Sequence, residues 1–138
     1  MDYVYAITPF VAWLVAGSLK FLVNSARAGK PAFGLIGYGG LPSNHSAIVS
    51  SMAALIAFRE GIGSPAFGVA LTLAFIVILD ASSLRKQVGR QAKAINALTE
   101  ASSGAPGLRE RIGHTPLEIA AGIAVGIIVA RLIMAVFV

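Results

Sequence analysis

The sequence offers two histidines as candidates for chemistry, each with a neighbour able to direct it. His114 stands four residues before Glu118. That is about one helical turn, so the carboxylate could orient the imidazole and favour its basic tautomer. The same stretch also spells a helix start, because Thr115-x-x-Glu118 is a capping box with Pro116 at the first helical position. Glu118 cannot fill both roles completely at once. His45 closes the run Gly39-Gly40-Leu41-Pro42-Ser43-Asn44-His45. Gly and Pro shape a turn there, and Ser43 or Asn44 could cap the helix that follows. Such a helix start carries free N–H groups and a positive dipole, a seat for phosphate. His45 in its first turn could protonate a leaving oxygen, or it is an interfacial histidine beside an ordinary cap.

A third group is Asp80, Arg85 and Arg90, spaced five residues apart. An aspartate at the end of a membrane helix is expensive unless paired or functional. One reading is an Asp80–Arg85 ion pair that fixes an interfacial helix. The other makes Arg85 or Arg90 a bidentate phosphate clamp that stabilises transition-state charge. The two histidines form no H-E-x-x-H pattern and there are no cysteines, which argues against a zinc site.

These residues must be positioned in a bilayer. Of the 138 residues, 57% are apolar and only 12% charged, whereas a soluble domain typically carries about 25% charged residues. The chain is long enough for one domain, residues 1–138. The net charge is +5. Its basic residues lie in short gaps between apolar runs, without aromatic interleaving, which points away from nucleic acid and toward lipid head groups or a phosphorylated ligand. Asp2 occupies the region where a signal peptide is positive, so the first apolar stretch is expected to be a retained membrane helix.

Four stretches are apolar enough to cross a hydrocarbon core: residues 3–23, with Pro9 as a candidate kink, then 45–58, 65–79 and 116–138. The middle two are short, which suits helices enclosed by the bundle or continuing beyond the membrane. They flank a tight turn from Arg59 to Pro65. The polar stretch 80–114 carries Val88, Ala92, Ile95 and Leu98 at helical spacing among Arg85, Lys86, Arg90 and Lys93. It is expected to form an amphipathic helix on the membrane surface. A loop over residues 101–107 follows. The expected fold is an all-α integral membrane protein: a compact bundle of about four transmembrane helices plus an interfacial amphipathic helix.

Four crossings put the end of span one, the start of span two, the end of span three and the start of span four on one face. Both histidines and nine of the eleven basic residues fall at those junctions, with Arg59 and Arg131 the exceptions. Gly122-x3-Gly126 is a small-residue packing face. Trp13, Tyr3 and Tyr5 are expected as core or interface anchors.

Pro42-Ser43-Asn44-His45 resembles the P-S-G-H motif of the type 2 phosphatidic acid phosphatase and vanadium haloperoxidase superfamily. His114-x3-Glu118 resembles its H-x3-D motif, and Lys20-x6-Arg27 its K-x6-R-P motif with Ala28 at the proline. The strings G-G-L-P-S-N-H-S-A, D-A-S-S-L-R-K-Q-V-G-R-Q-A and G-H-T-P-L-E resemble the small divergent branch of that superfamily, over most of the chain. Asn44 replaces the motif glycine, Glu118 an aspartate, and Leu108 the arginine six residues before the nucleophile. The resemblance implies a lipid-phosphate or lipid-pyrophosphate phosphatase needing no metal or other cofactor. It assigns His114 as nucleophile, Glu118 as its orienting partner and His45 as acid. Lys20, Arg27, Ser43, Asn44, Asp80, Arg85 and Arg90 would make up the phosphate site. The chain is shorter than the superfamily's usual six-helix core, which implies a trimmed fold or one completed by a second copy.

The second reading is a non-catalytic anion- or lipid-binding membrane protein that retains the cradle. A third is a small transport or assembly subunit. The expected location is a bacterial inner membrane, and the positive-inside rule puts the basic face in the cytoplasm.

Overall fold

The computed structural model describes residues 3–33, 40–99 and 107–137. Gly39, Val138 and residues 101–106 of the expected loop lie outside the described residues. Helices α1 (Val4–Ala28), α2 (Asn44–Glu60), α3 (Pro65–Leu79), α4 (Arg85–Thr99) and α5 (Pro116–Phe137) account for most of the rest. No strand occurs among the described residues.

The starts of α2, α3 and α5 follow from their local sequence. Ser43 Oγ accepts from the Ser46 N–H at 3.3 Å, and Ser64 Oγ from the Phe67 N–H at 3.2 Å, with Pro65 next in line. At α5 the capping box closes reciprocally: Thr115 N–H donates to Glu118 Oε2 at 2.9 Å, and Glu118 N–H to Thr115 Oγ1 at 3.2 Å. Helix α1 runs past the expected end at Val23 to Ala28, where Gly29 takes a left-handed φ of 64°.

Helix α2 is the axis of the bundle, with α1, α3 and α5 all packed on it. At 17 residues it spans about 25 Å, and its neighbours enclose it as its shortness suggested. Its contact with α5 is close because Gly122 and Gly126 present no side chain. A Cβ at Gly122 would run into the Ser43 carbonyl, and one at Gly126 into Ser50 Oγ and the Ala47 carbonyl. The buried α2 serines fit this seam. Ser50 Oγ donates back to the Ser46 carbonyl at 2.5 Å, and Ser46 Oγ to Ser43 Oγ at 3.0 Å, so no hydroxyl there is orphaned.

Below the seam, Ala12, Leu55, Val129, Ala130 and Ile133 fill the core. The outward faces are apolar: Phe10, Val69, Phe75 and Leu132 are 59–72% exposed. Helices α1, α5 and the rod that begins with α3 are long and apolar enough to cross a bilayer. Water would not support so continuous an apolar surface. The chain is an integral membrane protein.

The amphipathic helix begins as an unbroken continuation of α3. A wider π-type turn, Asp80–Leu84, joins α3 to α4, and the rod Pro65–Thr99 is 35 residues long. At 1.5 Å per residue it measures about 52 Å against a hydrocarbon core of about 30 Å, so roughly 20 Å projects beyond the core. Ser82 Oγ and Ser83 Oγ donate to the Leu79 carbonyl within the turn, and Arg85 Nε meets Asp80 Oδ2 at 3.2 Å. The ion pair expected from spacing therefore braces the junction. Residues 107–113 then run back along α4. Asn96 holds them, its Oδ1 accepting from Leu108 N–H at 2.7 Å and its Nδ2 donating to the Leu108 carbonyl at 2.8 Å and Glu110 Oε1 at 2.9 Å.

Candidate functional site

The polar junctions meet at one end of the bundle. Ser43 N–H donates to the Glu118 carbonyl at 2.9 Å, which joins the starts of α2 and α5. His114 N–H donates to the Ala81 carbonyl at 3.0 Å, which ties the approach to α5 onto the π turn. These two bonds bring His45 and His114 together, with ring centroids 5.9 Å apart and planes inclined at 71°.

Both imidazoles line a cavity of about 880 Å³. Lys20 and Asn24 enter it from α1, Asn44 from the start of α2, Arg85 from the start of α4, and Arg109 and Arg111 from the returning segment. Four cations and no carboxylate line it, and the free amides at the N-terminus of α2 add positive potential. The cavity thus has the charge to hold an anion.

Both ring nitrogens of His114, Nδ1 of His45 and Oδ1 of Asn44 are buried without a hydrogen-bond partner among the described residues. A buried polar atom left unpaired costs about 1–3 kcal/mol, and each such atom in a native structure calls for an explanation, a catalytic role among them. Burial holds the His114 imidazole below its ordinary value of 6.5; the Lys20 ammonium adds to this, the Glu118 carboxylate opposes it, and His45 and Arg85 lower it further. The His114 imidazole is thus mostly neutral at pH 7.

The expected site residues divide. Lys20, Asn44, His45, Arg85 and His114 share the cavity. Ser43 lies fully buried behind it, as the cap of α2. Asp80 braces Arg85, and Glu118 sits in the capping box, charged close to His114 but without a hydrogen bond to it. Arg27 and Arg90 are exposed and do not line the cavity. Arg109 and Arg111 take up part of the cation set. Motif spacing gave no sign of Asn24, which reaches the cavity only because α1 continues past Val23.

Fold and site together define a membrane-embedded helical bundle with a cation-lined, two-histidine cleft at one face. The chain belongs to the Divergent PAP2 family, whose profile matches residues 2–129. It is similar to the uncharacterized membrane protein YuiD of Bacillus subtilis (strain 168), at 33% identity over 115 residues, covering 72% of this chain and 72% of that protein. No solved structure matches it.

Proposed function

We propose that the protein is a lipid-phosphate or lipid-pyrophosphate phosphatase working through a phosphohistidine intermediate, without a metal. The observation that carries this reading is buried His114 beside half-buried His45, with both ring nitrogens of His114 and Nδ1 of His45 lacking a hydrogen-bond partner among the described residues, in a cavity lined by four cations. A ring nitrogen of His114 attacks phosphorus; the N–P bond forms as the P–O bond to the leaving group breaks. Protonated His45 gives its proton to the leaving oxygen. Neutral His45 then takes a proton from water as that water attacks phosphorus, releasing phosphate and restoring His114. Lys20, Arg85 and the amides at the start of α2 stabilise charge on the phosphoryl oxygens. Glu118 acts on the imidazole through its field, held in place by the capping box.

The test is phosphate release by the purified protein from a panel of lipid monophosphates and diphosphates in detergent, with EDTA present. Chelator-resistant release is expected. No release from any lipid by folded protein would replace the reading with a non-catalytic anion- or lipid-binding protein. That second reading has its own support, since Glu118 Oε2 is engaged by Thr115 N–H.

The pH profile carries a second prediction. His114 must be unprotonated to attack, and its value lies below 6.5, so the acid limb of kcat/KM should lie below pH 6.5, while loss of the His45 proton sets a separate alkaline limb. Removing the charge that raises it, in Glu118→Gln, moves this acid limb lower; removing the lowering cation, in Lys20→Gln, moves it higher. An acid limb centred above 6.5 would refute the assignment of His114. The same shift gives stability that is present above 6.5 and lost as pH falls toward the folded value, because the unfolded chain takes the proton first.

The basic face is assigned to the cytoplasm by the positive-inside rule, which places both termini outside. A reporter fused after Val138 should give no cytoplasmic signal; cytoplasmic signal there reverses the orientation.

A further inference from the structure

The cavity is much larger than its polar chemistry needs. A phosphate group, five heavy atoms at up to about 30 Å³ each, takes at most ~150 Å³, against about 880 Å³ available. The remaining wall is apolar and belongs mostly to α1. Trp13, Leu14, Gly17 and Phe21 line it, and Trp13 precedes Lys20 by seven residues, about 10 Å deeper along the helix toward the middle of the bilayer. Trp13 and Leu14 are 54% and 62% exposed while also lining the cavity, so the cleft opens sideways on the surface that faces lipid. Gly17 stands between that opening and the imidazoles, across from Asn44 Nδ2.

One cleft with cations and histidines at one end and bare hydrocarbon wall at the other is complementary to a single amphiphile. We propose that the hydrocarbon chain of the substrate lies along the Trp13–Phe21 face of α1, entering laterally from the bilayer, and that Gly17 sets the width of its passage. This rests on the phosphate reading of the polar end and extends it to the tail. A Cβ at Gly17 would sit 3.5 Å from Asn44 Nδ2, ordinary contact, so alanine fits there. A leucine fills the passage.

Trp13 is the single tryptophan of the chain and reports on the slot directly. The experiment titrates the full-length protein in detergent with a long-chain alkyl phosphonate, an uncleavable stand-in for the phosphate, brominated in mid-chain, at low mole fraction, and with the equally brominated alcohol. The phosphonate should quench Trp13 fluorescence saturably, with relief by excess unbrominated alkyl phosphonate, whereas the alcohol should quench only in proportion to its amount in the micelle. Gly17→Leu should weaken the saturable phase at least tenfold, and Gly17→Ala should retain it. Thermal unfolding of both variants checks that they fold. Indistinguishable quenching by the two probes, or wild-type affinity in folded Gly17→Leu, overturns the slot. Inorganic phosphate, followed by ³¹P line broadening with Lys20→Ala as control, separates the two readings. If inorganic phosphate binds without a saturable chain phase, the slot is wrong and the anion site stands; if neither probe binds, both fall. A saturable chain phase without phosphate release from any lipid keeps the slot and removes turnover.

Discussion

Replacing His114 by alanine should abolish phosphate release, with a loss on the order of ten-thousandfold or more. Removing a covalent nucleophile from a group of residues that act as a unit disables them all; measured losses for such groups are about ten-thousandfold to millionfold. His114 is buried, kept neutral, and has no hydrogen bond from either ring nitrogen, so alanine removes the reacting atom without orphaning a partner. The cations remain in the cavity, and lipid phosphate binding should persist within about tenfold. His45→Ala separates the two imidazoles: it should slow departure of an alkyl leaving group far more than that of an aryl one, which needs no proton, while hydrolysis of the phosphohistidine slows for both. Turnover surviving in folded His114→Ala would move the nucleophile elsewhere. A single assay, leaving-group release against leaving-group acidity, covers both variants.

The second large effect lies in the α2–α5 seam. Gly126→Leu should yield no folded protein, and Gly126→Ala should lower thermal stability in detergent. Alanine gains about 1 kcal/mol in helix propensity over glycine. Against that gain, its methyl meets the Ala47 carbonyl and the Ser51 amide nitrogen at 2.8 Å, backbone atoms that cannot rotate away. Overpacking of this kind typically costs about 1–3 kcal/mol, so the net sign is destabilising. An unchanged unfolding midpoint in Gly126→Ala would mean that the helices stand farther apart. Gly122→Ala acts nearer the site, pressing on the Ser43 carbonyl and on Ser46 Cβ at 2.9 Å. It should therefore disturb activity as well as stability.

Much of this was legible because membrane helices announce themselves locally. The apolar runs located α1, α3 and α5, Ser43 was one of the two caps that the sequence offered α2, and Thr115 with Glu118 spelled a cap that closed as spaced. Counting crossings was enough to collect His45, His114, Lys20 and Arg85 at one face. Asp80 shows where such reading stops. A charged residue ends the hydrocarbon span, yet the helix continues through it, because Arg85 and the serine hydroxyls satisfy the junction. The clasp of Asn96 on Leu108 joins residues twelve apart in sequence across a segment without periodicity, and nothing local predicts it. Arg27 and Arg90 matched a spacing or a charge pattern, but their helical phase turns them away from the cavity.

The unbroken rod from Pro65 to Thr99 has a mechanical consequence. Its lower half sits in the bilayer against α2, and its upper half carries, through Asn96 and the close approach of Gly89 to the Glu110 carbonyl, the segment bearing Arg109 and Arg111. A rod of this kind is a lever. The 15 residues of α4 extend about 22 Å, so a 10° tilt of α3, well inside the roughly 0–40° range seen for membrane helices, swings the far tip by about 4 Å. Packing on α2 sets that tilt, so the α2–α3 contact becomes an input to where Arg109 and Arg111 stand at the cleft.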